Sequence, residues 1–237
     1  MNRWIVSKYD GYSRGIAART IRFIQAVTNE VANAMQLLHI DSSVLGGNSA
    51  SRALSAEIVA RQAALYPGLK VTHRDLAADA ALHLSPAHLA AWQGGLVEDA
   101  SLGADLAKGG AYLEELLGAD IIVIGAPMYN FSIPSQLKAW IDRVVIAGKT
   151  FRYSANGAEG LLSKNKKAFI VSSRGNVYAP GSPAAAFEHH ESYLTGVLSF
   201  IGLTKVTVVR AEGLGLGEEA KEAAMLKARE HIAAIAA

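Results

Sequence analysis

No cysteine occurs among the 237 residues. That excludes a disulfide framework, a thiolate nucleophile and any zinc or iron–sulfur centre held by Cys. It is compatible with a reducing compartment, and a cytoplasmic location is expected. No apolar run reaches the roughly 20 residues of a membrane span, and no signal-peptide core is visible. No Gly-Lys-Ser/Thr ending marks a Walker loop and no GxGxxG marks a dinucleotide fingerprint. Ser42 and Ser43 lack the surroundings of a nucleophile elbow. Internal repeats and low-complexity stretches are absent too. Net charge is small, at +2, and its distribution is uneven. Residues 1–34 hold five of the 23 basic residues (Arg3, Lys8, Arg14, Arg19, Arg22) and two of the 21 acids (Asp10, Glu30). Residues 35–237 therefore carry 18 basic and 19 acidic residues. A body so near neutrality has no general pull on nucleic acid.

What is present is a sizeable apolar fraction, 51%, in a length that suits one large domain. The most informative stretch runs from Ile121 to Phe131. Four consecutive β-branched residues, Ile121-Ile122-Val123-Ile124, predict a strand buried on both faces. It stops at Gly125-Ala126-Pro127, and a helical pattern begins past Pro134 and Ser135. Between them lies a short loop of Met128, Tyr129, Asn130 and Phe131. Its side chains either cap the core or face a flat, hydrogen-bonding heteroaromatic ring.

From Met35 onward strands and helices alternate. Strands are expected at 36–41, 69–74, 121–124, 167–173 and 206–209. Helices are expected at 49–66, 101–117, 135–147 and 184–201, and an Ala-rich helix closes the chain. Leu54, Ile58 and Leu65 mark the buried face of the first helix, and Phe187, Leu194, Val197 and Ile201 that of the fourth. Residues 76–100 look irregular, with Ser85-Pro86 a helix start. Residues 150–157 look like an extended arm with a turn. Such alternation predicts an α/β fold, a doubly wound, five-stranded parallel sheet with helices on both faces. The segment 1–34 is expected to be an N-terminal extension apart from the 35–237 domain. Its stretch from Ile16 to Val31 fits a basic amphipathic helix. Either it resembles a transit peptide, or Met35 is the true initiator.

Parallel strands put their carboxyl ends on one edge, so the loops after the first, third and fourth strands meet there. The first loop offers Ser43, Gly46, Gly47, Asn48, Ser49 and Ser51 ahead of a helix. Hydroxyls and N–H groups at a helix N-terminus suit a phosphate; serines there also serve as plain N-caps. The loop Ser172-Ser173-Arg174-Gly175-Asn176 adds N–H groups and a cation. One phosphate loop and two ring-facing loops describe a mononucleotide site.

The residues that carry these loops also resemble a family. The segment Ala126 to Lys138, Thr150-Phe151-Arg152-Tyr153, Asn156-Gly157, Glu159-Gly160-Leu161, Ser173-Arg174-Gly175 and Phe200-Ile201-Gly202 are similar to the FMN-dependent NADH azoreductases and NADH:quinone oxidoreductases, flavodoxin-like in fold. The resemblance covers 35–237. It implies FMN as cofactor, NADH as donor, quinones and azo compounds as acceptors in a ping-pong cycle, and a homodimer. Ser43, Ser49, Ala50 and Ser51 would hold the phosphate and ribityl end. Met128, Tyr129, Asn130 and Phe131 would line the isoalloxazine, and Ser173, Arg174, Gly175 and Asn176 its pyrimidine side. Phe131 and Tyr153 would wall the acceptor site, which the resemblance puts at the subunit interface with the 150–160 arm contributing across it. Asn176 replaces a family glycine, Ala50 an often polar residue, and Tyr178 a common histidine. No catalytic side chain is assigned, because the flavin carries the redox chemistry.

A flavodoxin-type electron carrier is the competing expectation, although flavodoxins are shorter and strongly acidic. A flavin-free paralogue is a third. No metal site is expected: His189-His190 lacks i, i+3 or i+4 spacing. His39 and His73 are expected as packed or edge residues, and Asp142 and Arg143 as solvated helix positions.

Overall fold

Ile121–Pro127 is buried at every position, which is the environment a β-branched run selects when both faces of a sheet are covered. The computed structural model describes residues 34–236, so the basic helix expected at 16–31 lies outside the described residues. In chain order the strands are β1 (Gln36–Asp41), β2 (Lys70–Asp75), β3 (Ile121–Pro127), β4 (Phe151–Ser154), β5 (Gly157–Gly160), β6 (Lys167–Ser173) and β7 (Val206–Ala211). The helices are α1 (Ala50–Leu65), α2 (Pro86–Trp92), α3 (Ala100–Gly118), α4 (Ser135–Val144), α5 (Glu191–Phe200) and α6 (Glu218–Ala233).

Five strands form a parallel sheet in the order β2-β1-β3-β6-β7, and β4 and β5 form a separate antiparallel hairpin. Alternate residues of each central strand face opposite layers. Leu38, Ile40, Ile122, Ile124 and Ile170 pack with Tyr112, Trp140 and Leu194 of α3, α4 and α5. Leu37, Ile121, Val123, Phe169 and Val209 pack with Leu54 and Ile58 of α1 and Ile232 of α6. The doubly wound sheet expected from the sequence is the one found. Its order reverses between β1 and β3, and the crevice beyond that switch point is where such sheets bind ligands.

Three expectations change. Helix 184–201 is broken: Ala185–Phe187 is a 3₁₀ turn and α5 starts at Glu191. The cause is Glu188, whose carboxylate accepts from the backbone N–H of His190 (3.0 Å), Glu191 (2.7 Å) and Ser192 (3.1 Å). It caps the helix from outside, as an anion does at an N-terminus. Burial opposes the Glu188 charge, but those N–H donors hold its pKa below the ordinary value. Second, the buried face of α1 continues from Ile58 to Gln62, while Leu65 is only half-buried.

Third, Arg143 is buried, not solvated. Its guanidinium donates to Asp105 on α3 at 3.1 and 2.7 Å and to the Leu82 carbonyl at 2.9 Å. Asp105 also accepts from the Leu82 N–H at 2.7 Å, and His88 Nε2 lies 3.1 Å from it. Gly109 makes the approach possible, because a Cβ there would stand 2.9 Å from Arg143 Cδ. This network pins the 76–99 segment to the helical layer. Asp105→Ala would strand a buried guanidinium, so a loss of about 3–5 kcal/mol is expected. Urea unfolding measures it, and a loss within experimental error would show that the network carries no stability.

Candidate functional site

The loop after β1 is built by its hydroxyls. Ser42 Oγ donates to the Gly125 carbonyl at 2.8 Å, tying the loop to β3. Ser43 Oγ lies 3.2 Å from the Tyr129 hydroxyl, which also accepts from the Val44 N–H at 3.2 Å. One phenol thus joins the loops after β1 and β3. Ser49 caps α1, its Oγ accepting from the Arg52 N–H at 3.3 Å and lying 3.0 Å from Ser51 Oγ. Both serines are buried and Ala50 is half-buried. The N–H groups of Ala50 and Ser51 precede the first intrahelical bond and point with the positive end of the helix dipole. Arg52 stiffens the loop, donating to the Ser43 carbonyl at 2.8 and 3.2 Å while Asp75 holds its guanidinium at 2.6 and 2.7 Å.

Met128 opens the second loop with its N–H on the Ser173 carbonyl at 2.8 Å. Tyr129 and Ser132 then exchange backbone hydrogen bonds at 2.9 and 3.1 Å around a two-residue turn. Its central residues, Asn130 and Phe131, have φ of +47° and +72°, the pattern of a type I′ turn. They are the two non-glycine residues with positive φ among the described residues. Asn tolerates that region; an aromatic residue is strained there. The turn is held from below, where the His189 N–H donates to the Phe131 carbonyl (3.2 Å) and Ser132 Oγ to that of His189 (3.3 Å). Phe131 stacks near Phe187 at 5.1 Å between centroids and meets Tyr178 edge-on at 6.4 Å.

The third loop sits differently from expectation in one respect. Gly175 and Asn176 are exposed and Ser173 is buried, but the Arg174 guanidinium does not offer its charge to the edge. It is buried against Glu191, with Glu212 and Glu188 at 3.6 and 3.8 Å. A buried cation needs carboxylates around it, and the Arg174 backbone is engaged as well, its N–H on the Ala211 carbonyl at 2.9 Å and its carbonyl accepting from the Leu214 N–H at 3.1 Å. Tyr153 lies on a separate element. It is 76% exposed on the β4–β5 hairpin, which packs through Gly160 on Gly202 beyond the end of α5. The Phe131 turn touches the residues just before α5, so about 15 Å of helix separates the two in one chain.

Sequence reading missed Phe187, which it assigned to the core stripe of a helix, and the clasp role of Arg52 and Tyr129. It also missed His39, Asp41 and His73 as a group. His39 and Asp41 share one face of β1, and His73 is in register with His39 on β2. Burial opposes the Asp41 charge, but hydrogen bonds from His39, His73 and Ser55 hold its pKa below the ordinary value. The i, i+2 spacing on a strand was the available signal.

A family model described as the flavodoxin-like fold matches residues 35–236. FMN-dependent NADH:quinone oxidoreductase from Methylorubrum extorquens is 52% identical over 203 residues, covering 86% of this chain and all of that one. FMN-dependent NADH:quinone oxidoreductase 2 from Pseudomonas aeruginosa is 56% identical over 200 residues, covering 84% and 97%. Among solved structures, an azoreductase from Bacillus anthracis superposes with a TM-score of 0.74 at 26% identity, covering 84% and 97%. The fold and the three-loop edge thus define a flavodoxin-like protein. Within that class, the chain belongs to the family of FMN-dependent NADH:quinone oxidoreductases.

Two outcomes test the site's scaffold. Phe131→Gly converts the turn to Asn-Gly, the sequence that type I′ geometry favours. The variant is expected to unfold later, by about 1 kcal/mol, while losing the aromatic wall; an earlier thermal midpoint would refute the strain. His190, fully buried with Nδ1 3.3 Å from Ser172 Oγ, bears on pH. Burial and then the Arg174 charge push its pKa from 6.5 down to about 4. The unfolded chain takes up a proton there that the folded one refuses, so stability present above pH 6.5 is lost as pH falls toward 4. Between pH 6.5 and 5 the loss is on the order of 2 kcal/mol. Denaturant titrations at both pH values should show a smaller loss in His190→Asn than in the parent; equal losses would exclude His190 as the cause.

Proposed function

We propose that this chain passes two electrons from NADH to quinones and azo compounds through bound FMN, in a ping-pong cycle in which donor and acceptor use one cleft in turn. The residues present fit the cofactor. Gly46, Gly47 and Gly175 have open space where a Cβ would stand, so a ligand can lie against bare backbone. FMN, when bound, supplies the two-electron chemistry. The chain binds, orients and shields. Ser43, Ser49, Ala50 and Ser51 hold the phosphate and ribityl end through hydroxyls, helix-start N–H groups and the dipole. Met128, Tyr129, Asn130 and Phe131 line the ring, and the 173–176 segment closes its pyrimidine side at exposed Gly175 and Asn176. No protein acid or base is required.

The observation that carries this reading is the strained Asn130–Phe131 turn, locked beside the α1 N-terminus at the switch point. Strain of that kind persists where the surroundings over-determine it, and it clusters at ligand clamps. The names of the 52% and 56% identical relatives support the same activity. A homodimer is part of the proposal. Tyr153, exposed on a hairpin that packs at the far end of α5 from the Phe131 turn, is assigned to a partner's cleft, as the family resemblance implies. An apolar groove of about 610 Å³ lined by Leu84, Trp92, Ile141, Val145, Val197 and Phe200 supports a covered face. The domain is assigned to 35–237, which holds every residue named for the site. Among the described residues no helix is long and apolar enough to cross a membrane.

The purified full chain should carry FMN and oxidise NADH when a quinone is added. FMN retention without NADH oxidation would leave the electron-carrier reading, and FAD as the released flavin would refute the cofactor assignment. Replacing Ser49 and Ser51 together with Ala should weaken FMN binding by about 1–3 kcal/mol, as expected when hydrogen bonds to a charged group are lost. Flavin fluorescence quenching measures the dissociation constant; an unchanged value would confine both serines to helix capping.

A further inference from the structure

One cluster of chemistry-bearing side chains stands outside the cleft. His39 and Asp41 face α1 from β1, and His73 faces the same way from the edge strand β2. Both histidines aim Nε2 at one carboxylate. His73 Nε2 is 3.0 Å from Asp41 Oδ2, and His39 Nε2 is 3.4 Å from Oδ1. The three donor atoms all lie within 4.8 Å of one another. Ligands bound at about 2.0–2.1 Å in tetrahedral directions stand about 3.3 Å apart, close to the two N–O separations found.

Charge and access agree with that geometry. Arg52 comes within 3.8 Å of Asp41, but its guanidinium is already paired with Asp75 in a neutral couple. Asp41 therefore contributes one uncompensated negative charge, beside two imidazoles. Ser55 Oγ lies 2.9 Å from both Asp41 Oδ1 and His39 Nε2, so it holds the carboxylate, and its contact with Nε2 is one a bound metal would replace. His39 and Asp41 are buried, whereas the His73 side chain is 48% exposed. The half-exposed His73 on the edge strand gives entry from solvent.

We propose that His39, Asp41 and His73 bind a divalent transition metal of the Zn²⁺ class. Two imidazoles and one carboxylate select borderline cations such as Zn²⁺ and Co²⁺ over the oxygen-seeking Mg²⁺. The site takes no part in electron transfer. It ties the edge strand to β1 immediately before Ser42 and Ser43, and so braces the base of the phosphate loop.

The test uses the full-length protein with its flavin, freed of adventitious metal by a chelator and then dialysed. Calorimetric titration with Zn²⁺ should give one equivalent per chain at micromolar metal. Titration with Co²⁺ should bring up d–d bands to the red of the flavin absorption, with an intensity that reports low coordination number. Asp41→Asn and His39→Ala should each weaken uptake tenfold or more. Because those positions are buried, His73→Ala is the decisive variant: it should lose the metal equally while keeping its flavin content and circular dichroism. Absence of saturable Zn²⁺ or Co²⁺ uptake would overturn the proposal. So would uptake undiminished in His73→Ala, or Mg²⁺ bound as tightly as Zn²⁺.

Discussion

The closeness of α1 to the sheet at Gly125 sets the geometry of the carboxyl edge. Gly125 is the register partner of Asp41 where β1 and β3 run side by side. A Cβ on it would stand 2.6 Å from Asp41 Oδ1, 3.2 Å from Ser55 Oγ and 3.4 Å from the Ser51 carbonyl. Without that Cβ the first turns of α1 descend onto the strands. The helix start then lies over the switch point, and Ser42 can reach the Gly125 carbonyl. Any side chain here would lift α1, moving the loop hydroxyls and the Asp41 cluster together. The start of the helix and the polar group beneath it rest on the same absent atom.

Charge in this molecule is used mainly inside the scaffold. Arg143 binds Asp105 between α3 and α4, and Arg174 is enclosed by Glu188, Glu191 and Glu212 below the third loop. Buried pairs of this kind gain little net stability over apolar packing, but removing one partner is severe. Their effect here is positional. Arg143 fixes the irregular 76–99 segment, and Arg174 fixes the start of α5 relative to the ends of β6 and β7. The edge at the α1 terminus is left to backbone dipoles and hydroxyls, with Arg52 held in a couple with Asp75.

The sheet was legible because buried parallel strands demand β-branched runs, and Ile121–Ile124 and Phe169–Val171 meet that demand locally. The three-loop edge was legible for a topological reason: parallel strands end together whatever their side chains do. What periodicity could not show was a helix start decided by a side chain. Glu188 captures three N–H groups and ends the stripe expected to include Phe187. Nor could it show Arg143 as buried, since its partner Asp105 lies 38 residues earlier on another helix. His73 joined His39 only once the parallel register of β1 and β2 was fixed. Errors therefore fall where a single polar contact, local at Glu188 and long-range at Arg143, overrides the apolar periodicity.

The β3–α4 loop shows why strain and rigidity belong together here. Two left-handed residues in succession, one of them aromatic, would relax in a free loop by rotating into ordinary conformations. Four constraints oppose that relaxation: the paired bonds between Tyr129 and Ser132, the Met128 bond to Ser173, the Tyr129 hydroxyl on the first loop, and the clamp from His189 on the Phe131 carbonyl. Each comes from a different element, so no single loop movement releases them all. Phe131 is thereby held beside Phe187 and Tyr178 while still 45% exposed. A flat ligand meeting this wall finds it already ordered and bears little of the entropy of fixing it. The cost of the turn is met by the folded scaffold before any ligand arrives, which is how a strained loop can favour binding.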